Sequence, residues 1–398
     1  MNKSLLVFSH TIPYPLVTGG KIRYYHLLRC LAERFDLSLL SLARDGEDPS
    51  CAECLRSLCR EVRVIPFHKA NPSFIGKIRN ILSLHPADLN FEDYRAAREF
   101  SEMLKIRVVD GVLFFSSFLA SYVRLVPHPA KTVLDLEDLQ FIRIKRAVEK
   151  FPWGRKKIGY LLEPLKAKRF ERLILGRFDL AFTCSEVDKR RVLDLGTGIP
   201  VEIVPNGVDP DQFNTGAFEE WPHPSMVYSG GLGSQGGDGV LRFIREIYPL
   251  IRKQVPEVRL HLVGGHILPE LEKTVMGDSS VELVGAVEDV RPYMAGGWVF
   301  IVPLWVGSGT RLKILEASAM EKAIVSTQVG AEGLDLTSGD HLFIENTNSG
   351  FAARCVRLLR EPELRRKVGR HARQAVCSRY RWSDIGSRAA DILEDLIG

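Results

Sequence analysis

The stretch "PNGVDPDQFNTGAFEEWPHPS", residues 205–225, is rich in Pro, Gly, Asn and Asp and holds no long apolar run. That composition marks a connection between folded parts. What flanks it decides the fold. Before it, the short apolar runs SLLVFSH, DLSLLSLA, VRVIPFH, GVLFFSS, KTVLDLED, DLAFTCS and VEIVPNG alternate with helix-length amphipathic stretches such as GKIRYYHLLRCLAERF and NFEDYRAAREFSEMLKIR. Several runs are apolar throughout, as expected of parallel strands covered on both faces. After it the alternation restarts with SMVYSGG, VRLHLVGG, VELVGAV, WVFIVPL, AIVSTQ and HLFIEN. The expectation is an α/β protein with two Rossmann-like, doubly wound domains facing across a cleft. The first domain is placed at 1–215 and the second at 216–380. A C-terminal helix at 381–398 is expected to pack across the junction.

Bulk properties agree with this division. A chain of 398 residues exceeds one ordinary core. With 45% hydrophobic and 26% charged residues it reads as soluble and globular. No apolar run approaches a membrane span. The apolar run before Ser9 is too short for a secretory segment and reads as a first buried strand, so a cytoplasmic location is expected. The seven cysteines, an odd number, read as reduced thiols. Cys51, Cys54 and Cys59 cluster, with His68 the nearest fourth ligand, but the spacing matches no common zinc pattern. No metal is expected.

The net charge is +5, and its distribution says more than its size. From Phe141 to Phe178 twelve Lys/Arg stand against three Asp/Glu. This basic 141–178 stretch is either a solvated helix face or a surface for anionic lipid or a polyanionic acceptor. No recognition motif accompanies it, which argues against nucleic acid.

In open α/β sheets ligands bind beyond the carboxyl ends of the strands, so the loops there carry the chemistry. After the first strand, Thr18, Gly19 and Gly20 precede a helix, which suits either an anion or a plain tight turn. After the first strand of the second domain comes "SGGLGSQGGDG", 229–239, whose six glycines suggest close approach of backbone to phosphate. It lacks the Gly-Lys-Ser/Thr ending of an ATP-hydrolysing loop, and no GxGxxG with a later acid points to a dinucleotide. After the fourth strand comes "GSGTRLKILEASAMEKAIVST", 307–327. Gly309 and Thr310 lead into a helix whose start already favours anions, and Arg311 and Lys313 add cations there. A diphosphate would satisfy all of them. Glu316 follows among apolar neighbours, where a carboxylate can accept two vicinal hydroxyl hydrogen bonds. The alternative is an i,i+3 pair between Lys313 and Glu316 on a solvated face. Asp135, Glu137 and Asp138 cluster after "VLDL" and could orient a hydroxyl or balance a developing positive sugar centre. Capping suits Asp138 in any case.

With these motifs the chain resembles, over essentially its whole length, the GT-B fold retaining glycosyltransferases of the family-four, or glycosyl transferases group 1, type. Among them it is most similar to sugar transferases of bacterial exopolysaccharide clusters. The resemblance is carried by "VPNGVDPDQF" at 204–213, "LVGG" at 262–265, "LVGAVEDVRPYM" at 283–294 and "LEASAMEKAIVSTQVGAEGL" at 315–334. It implies that Glu316 is the second Glu of a Glu-x7-Glu motif and holds the donor ribose. Arg311 and Lys313 would hold the diphosphate, helped by Gly19 and Gly20. His266 and Val287 would lie near the nucleotide, with Gly231, Gly309, Thr310 and Leu315 completing the donor set. Glu137 or Asp135 would occupy the first domain's catalytic position, often His in the family. Two departures stand out. Ser308 occupies the place of the motif's first Glu, and the glycine-rich loop carries no cation.

The expected function is retaining transfer of a sugar from a UDP- or GDP-linked donor to a hydroxyl of a glycan or lipid-linked acceptor in polysaccharide biosynthesis. No metal or other cofactor is expected. Peripheral membrane contact through 141–178 is one expectation for its partners. The alternatives are a nucleotide-sugar epimerase, a nucleotide-binding GT-B module without transfer activity, and, more remotely, a dinucleotide oxidoreductase.

Overall fold

A computed structural model describes residues 3–68, 86, 93–106, 108–150, 153–216, 218–307 and 309–398. The chain divides into two compact units, Met1–Pro205 with Trp382–Gly398, and Asn206–Arg381. The division falls ten residues before the expected 215. It comes inside the Pro-Asn-Gly turn because Val208 already hydrogen-bonds to Tyr380 of the second unit.

The first unit is built on a seven-stranded sheet: β1 Ser4–Ser9, β2 Asp36–Arg44, β3 Glu61–Phe67, β4 Gly111–Phe115, β5 Lys131–Leu136, β6 Leu180–Thr183 and β7 Val201–Ile203. Their order is β3-β2-β1-β4-β5-β6-β7, and every pairing is parallel. Helices cover both faces, so β4, "GVLFF", is buried at all five positions. The helix Gly19–Leu31 starts at Thr18, whose hydroxyl accepts from the Lys21 amide. The C-terminal helix Trp382–Ile397 packs on this same unit. The Trp382 ring stacks on His26 with centroids 4.9 Å apart, and Arg34 pairs with Asp391 and Glu394.

The second unit repeats the scheme with β8 Ser225–Ser229, β9 Arg259–Val263, β10 Val281–Gly285, β11 Val299–Val302, β12 Ala323–Ser326 and β13 Phe343–Ile344, in the order β10-β9-β8-β11-β12-β13. The strand order reverses at β1/β4 in the first sheet and at β8/β11 in the second. Those reversals are where doubly wound sheets open a crevice for a ligand.

Candidate active site

In the second unit the ends of three strands, β8, β9 and β10, are tied together by their backbones. Gly230 N–H donates to Val263 O, Leu232 N–H to Gly265 O, and Gly264 N–H to Gly285 O. Gly230 and Gly264 have φ of +125° and +152°, and a Cβ on Gly264 would strike the Gly230 carbonyl. Glycine is required where these two loops cross. The rest of the glycine-rich stretch has a different use. The helix Ser234–Arg242 starts inside it, so Gly236, Gly237 and Gly239 are helical. They let that helix close onto the carbonyls of Gly231, Leu232 and Pro303. Half of the six glycines therefore serve packing.

The cations come from the β11 loop. The helix Leu312–Ala319 has Arg311 at its N-cap, with no side chain capping it. Arg is a donor only, so its side chain cannot satisfy the first-turn amides; the Ile314 N–H bonds the Arg311 carbonyl at 3.0 Å, and the Lys313 N–H before it is left for an anion. The Arg311 guanidinium lies against the α-carbon of Gly307, whose φ of +145° allows that approach. Lys313 reaches back to β8. Its ammonium stands 4.0 Å from the Tyr228 ring centroid and covers the α-carbon of Gly230. A cation on an aromatic face keeps its charge while leaving its donors free for a ligand. Lys313 does not form the alternative pair with Glu316.

Glu316 is half-buried, and burial raises its carboxyl to about 7, against the opposing pull of Lys313. Thr310 is buried and accepts from the Asn206 side-chain amide at 2.8 Å, which fastens the β11 loop to the Pro-Asn-Gly turn. Leu315 is fully buried and supports the helix from behind. Gly309 takes a positive φ, +74°, just before Thr310. Gly231 and His266 are exposed in neighbouring loops, His266 with φ +55°, and Val287 is half-buried after β10. Ser308 lies outside the described residues.

In the first unit, the close approach of Glu137 defines the need for Gly20. A Cβ there would stand 2.7 Å from Glu137 Oε2. Glu137 is half-buried, and its carboxyl is pushed up to about 8, chiefly by burial, with Asp138 and Asp135 adding to the rise and Tyr24 opposing it. His10, at the end of β1, packs edge-on to Tyr24 and is lowered to about 4 by burial. Gly19 opens the same helix beside them. Asp135 behaves differently from its neighbour. It is fully buried, and both its oxygens accept from Arg23, at 2.8 and 2.5 Å. Arg23 also donates to Pro205 O at 3.1 Å. Asp135 is committed to a buried bidentate pair, and such a pair holds backbone elements in place.

Sequence reasoning passed over Tyr228, Tyr24 and Asn206 as strand, helix and turn residues. An aromatic two residues ahead of the glycine-rich turn is the signal that could have found Tyr228. The cysteine cluster does not assemble. Cys51 and Cys54 sit on the 3-10 turn Pro49–Ser57, Cys59 is buried, and His68 pairs with Asp45. Among the described residues no group of three or more His, Cys, Asp or Glu is placed to hold a metal.

Residues 223–361 match the family model described as Glycosyl transferases group 1. An uncharacterized 44.6 kDa protein in the cps region of Klebsiella pneumoniae is 24% identical, over 87% of this chain and 89% of its own length. Among solved structures, sucrose-phosphate synthase from Thermosynechococcus elongatus superposes with a TM-score of 0.73 at 16% identity, covering 99% of both chains. Anabaena Alr3699/HepE in complex with UDP and glucose gives 0.70 at 14% identity, covering 98% of this chain and 99% of that one. At these identities the structural likeness speaks for the fold, which is the expected two-domain GT-B arrangement of Rossmann-like units. The family match over residues 223–361 and the fold together support a glycosyltransferase enzyme.

Proposed function

We propose that this glycosyltransferase moves a sugar, with retention of configuration, from a nucleoside diphosphate sugar to a hydroxyl of a glycan or lipid-linked acceptor in polysaccharide biosynthesis. The observation that carries the reading is the uncapped helix start at Arg311–Lys313, with Glu316 half-buried one turn further on. Breaking the sugar–phosphate bond leaves charge on the diphosphate. The Lys313 ammonium, the Arg311 guanidinium and the first-turn amide of Lys313 are fixed donors for that charge, each contributing roughly 3–4 kcal/mol by the measure of one oxyanion donor. With these cations supplying the countercharge, the reaction proceeds without a metal.

Glu316 receives the ribose hydroxyls in this reading. Bonding to two donors favours its ionised form, so donor binding and ionisation reinforce each other. Val287 and His266 border the base, and Gly231 lets backbone approach the phosphates. Glu137 is the first unit's catalytic carboxyl. A group that titrates near 8 exists in both forms at cellular pH, so it can take the acceptor's proton or hydrogen-bond its hydroxyl. Asp135 positions that end of β5 through Arg23. The donor base is uracil or guanine, and the protein works in the cytoplasm. The cps-region relative and the UDP in the Anabaena structure support the pathway and the donor class.

The test is the purified protein with a panel of UDP- and GDP-sugars in EDTA, with isolated lipid-linked glycan as acceptor and NMR of the product anomer. Transfer with the donor's anomeric configuration supports the reading. Inversion overturns retention. Conversion of donor without an acceptor indicates the epimerase, and nucleotide binding with no turnover indicates the binding module.

A further inference from the structure

The basic stretch forms three helices in the first unit: Gln140–Lys150, Arg155–Tyr160 and Glu163–Leu175. The last is firmly seated. Ala167, Phe170, Ile174 and Leu175 join the core, and Glu171 accepts from the amides of Gln140 and Phe141 at the start of the first. The segment leading into this last helix and its own outer side are unlike an ordinary solvated face. Trp153 is 80% exposed, Ile158 63%, Leu162 57% and Leu165 65%, with Leu161 beside them.

Single exposed apolar residues are normal, but these are concentrated. Of the seventeen large apolar residues exposed among the described residues, seven fall between Trp153 and Leu173. That span is about a twentieth of the chain, so even scattering would give it one. The order along the chain is also regular. Ile158, Leu161, Leu162 and Leu165 stand at i, i+3, i+4 and i+7, from the second helix through the two-residue turn into the third. The exposed cations Lys168, Arg169 and Arg172 continue the series. At the other end, Lys157 covers the Trp153 ring at 4.9 Å.

We propose that this face docks on an anionic bilayer surface. Trp153, Ile158, Leu161, Leu162 and Leu165 enter the interfacial layer, while Lys157, Lys168, Arg169 and Arg172 meet the headgroup phosphates. Charge complementarity selects this occupant. A second copy would bring one strongly basic surface against another, and a soluble polyanion would leave the apolar row uncovered. Apolar insertion flanked by cations and an aromatic is the physics of a helix lying in a membrane interface. No helix among the described residues is long and apolar enough to cross a membrane. The proposal stands apart from the transfer reaction, because it needs only binding.

The experiment is cosedimentation of the full chain with phosphatidylcholine vesicles, with and without phosphatidylglycerol. Binding is expected only with the anionic lipid, and it weakens with salt. Each cation near such a surface contributes roughly a factor of five, so the triple change Lys168→Gln, Arg169→Gln, Arg172→Gln should lower the partition coefficient about a hundredfold. The triple change Leu161→Ser, Leu162→Ser, Leu165→Ser should weaken binding even at low salt. Absence of binding to anionic vesicles overturns the proposal. So does binding that neither variant changes, or a change confined to oligomeric state on gel filtration. If a triple variant melts below the parent, quenching of tryptophan fluorescence by brominated lipid decides instead. Quenching that disappears in Trp153→Phe supports the proposal, and its absence in the parent overturns it.

Discussion

The Lys313 ammonium rests on the face of Tyr228, 4.0 Å from the ring centroid. The two residues lie 85 positions apart and bring a cation from the β11 loop to the glycine turn after β8, a turn that has no cation of its own. This supplies a physical reason for the missing cation: the charge arrives from the neighbouring loop. Replacing Lys313 with Ala should lower kcat by about 10²–10³, the usual effect of removing one charge-stabilising donor. The melting temperature of the unliganded protein should barely change, since Lys313 makes no buried ion pair. Steady-state kinetics alongside calorimetry checks both halves.

Gly230 should tolerate no side chain. Its φ is +125°, and a Cβ would strike Lys313 Nζ. Gly230→Ala should cost about 1–3 kcal/mol in backbone strain and should weaken nucleotide binding by displacing the ammonium. Urea unfolding and titration calorimetry separate the two effects. A variant with normal affinity would mean that Lys313 does not meet the ligand.

The buried pair Arg23–Asp135 predicts a failure of folding stability. Asp135→Ala leaves Arg23 charged and buried, which should cost about 3–5 kcal/mol. Glu137→Gln should leave stability close to the parent's at low pH but slow transfer sharply. If Asp135→Ala melts normally and loses only turnover, Asp135 is catalytic and the positioning role fails.

Three carboxyls raised chiefly by burial bear on the pH dependence: Glu137, Glu316 and Glu171, the last to about 7. Glu137 and Glu316 start from 4.5 and rise to about 8 and about 7 in the folded protein. Between 4.5 and those values the unfolded chain has lost protons that the folded protein keeps. Stability should therefore fall as pH rises through this window and level off above it. In Glu137→Gln the fall should be smaller and should end near 7. Nucleotide binding should follow the opposite course and tighten as pH rises through 7, because the ribose hydroxyls bond the ionised Glu316. In Glu316→Gln this dependence should be flat.

The sequence made the two sheets legible because parallel strands covered on both faces are apolar throughout, as "GVLFF" and "VFIV" are. It also exposed the chemistry of the β11 loop, because Arg311, Lys313 and Glu316 contradict a purely packing helix. It could not show that the helix Ser234–Arg242 begins within the glycine run, since helix-packing glycines and ligand-approaching glycines look alike. Nor could it show that Asp135 faces a buried Arg23 while Glu137, two residues later, stays half-exposed. Alternation along β5 is local, but the partner lies 112 residues away. The apolar row from Ile158 to Leu165 had the same difficulty. Its spacing is equally that of a core face, and only the packing shows that it points outward.

The central claim is that the second unit holds a nucleoside diphosphate on Lys313, Arg311 and the helix start. The most direct test is thermal stabilisation by UDP, GDP, ADP, TDP and NAD in EDTA, for the parent and for Lys313→Ala. At a hundred times its dissociation constant a ligand adds about 2.7 kcal/mol, which a melting curve resolves easily. The account predicts that UDP or GDP stands out with the parent and loses its effect with the variant. Stabilisation by no diphosphate, or equal stabilisation of both proteins, would contradict it.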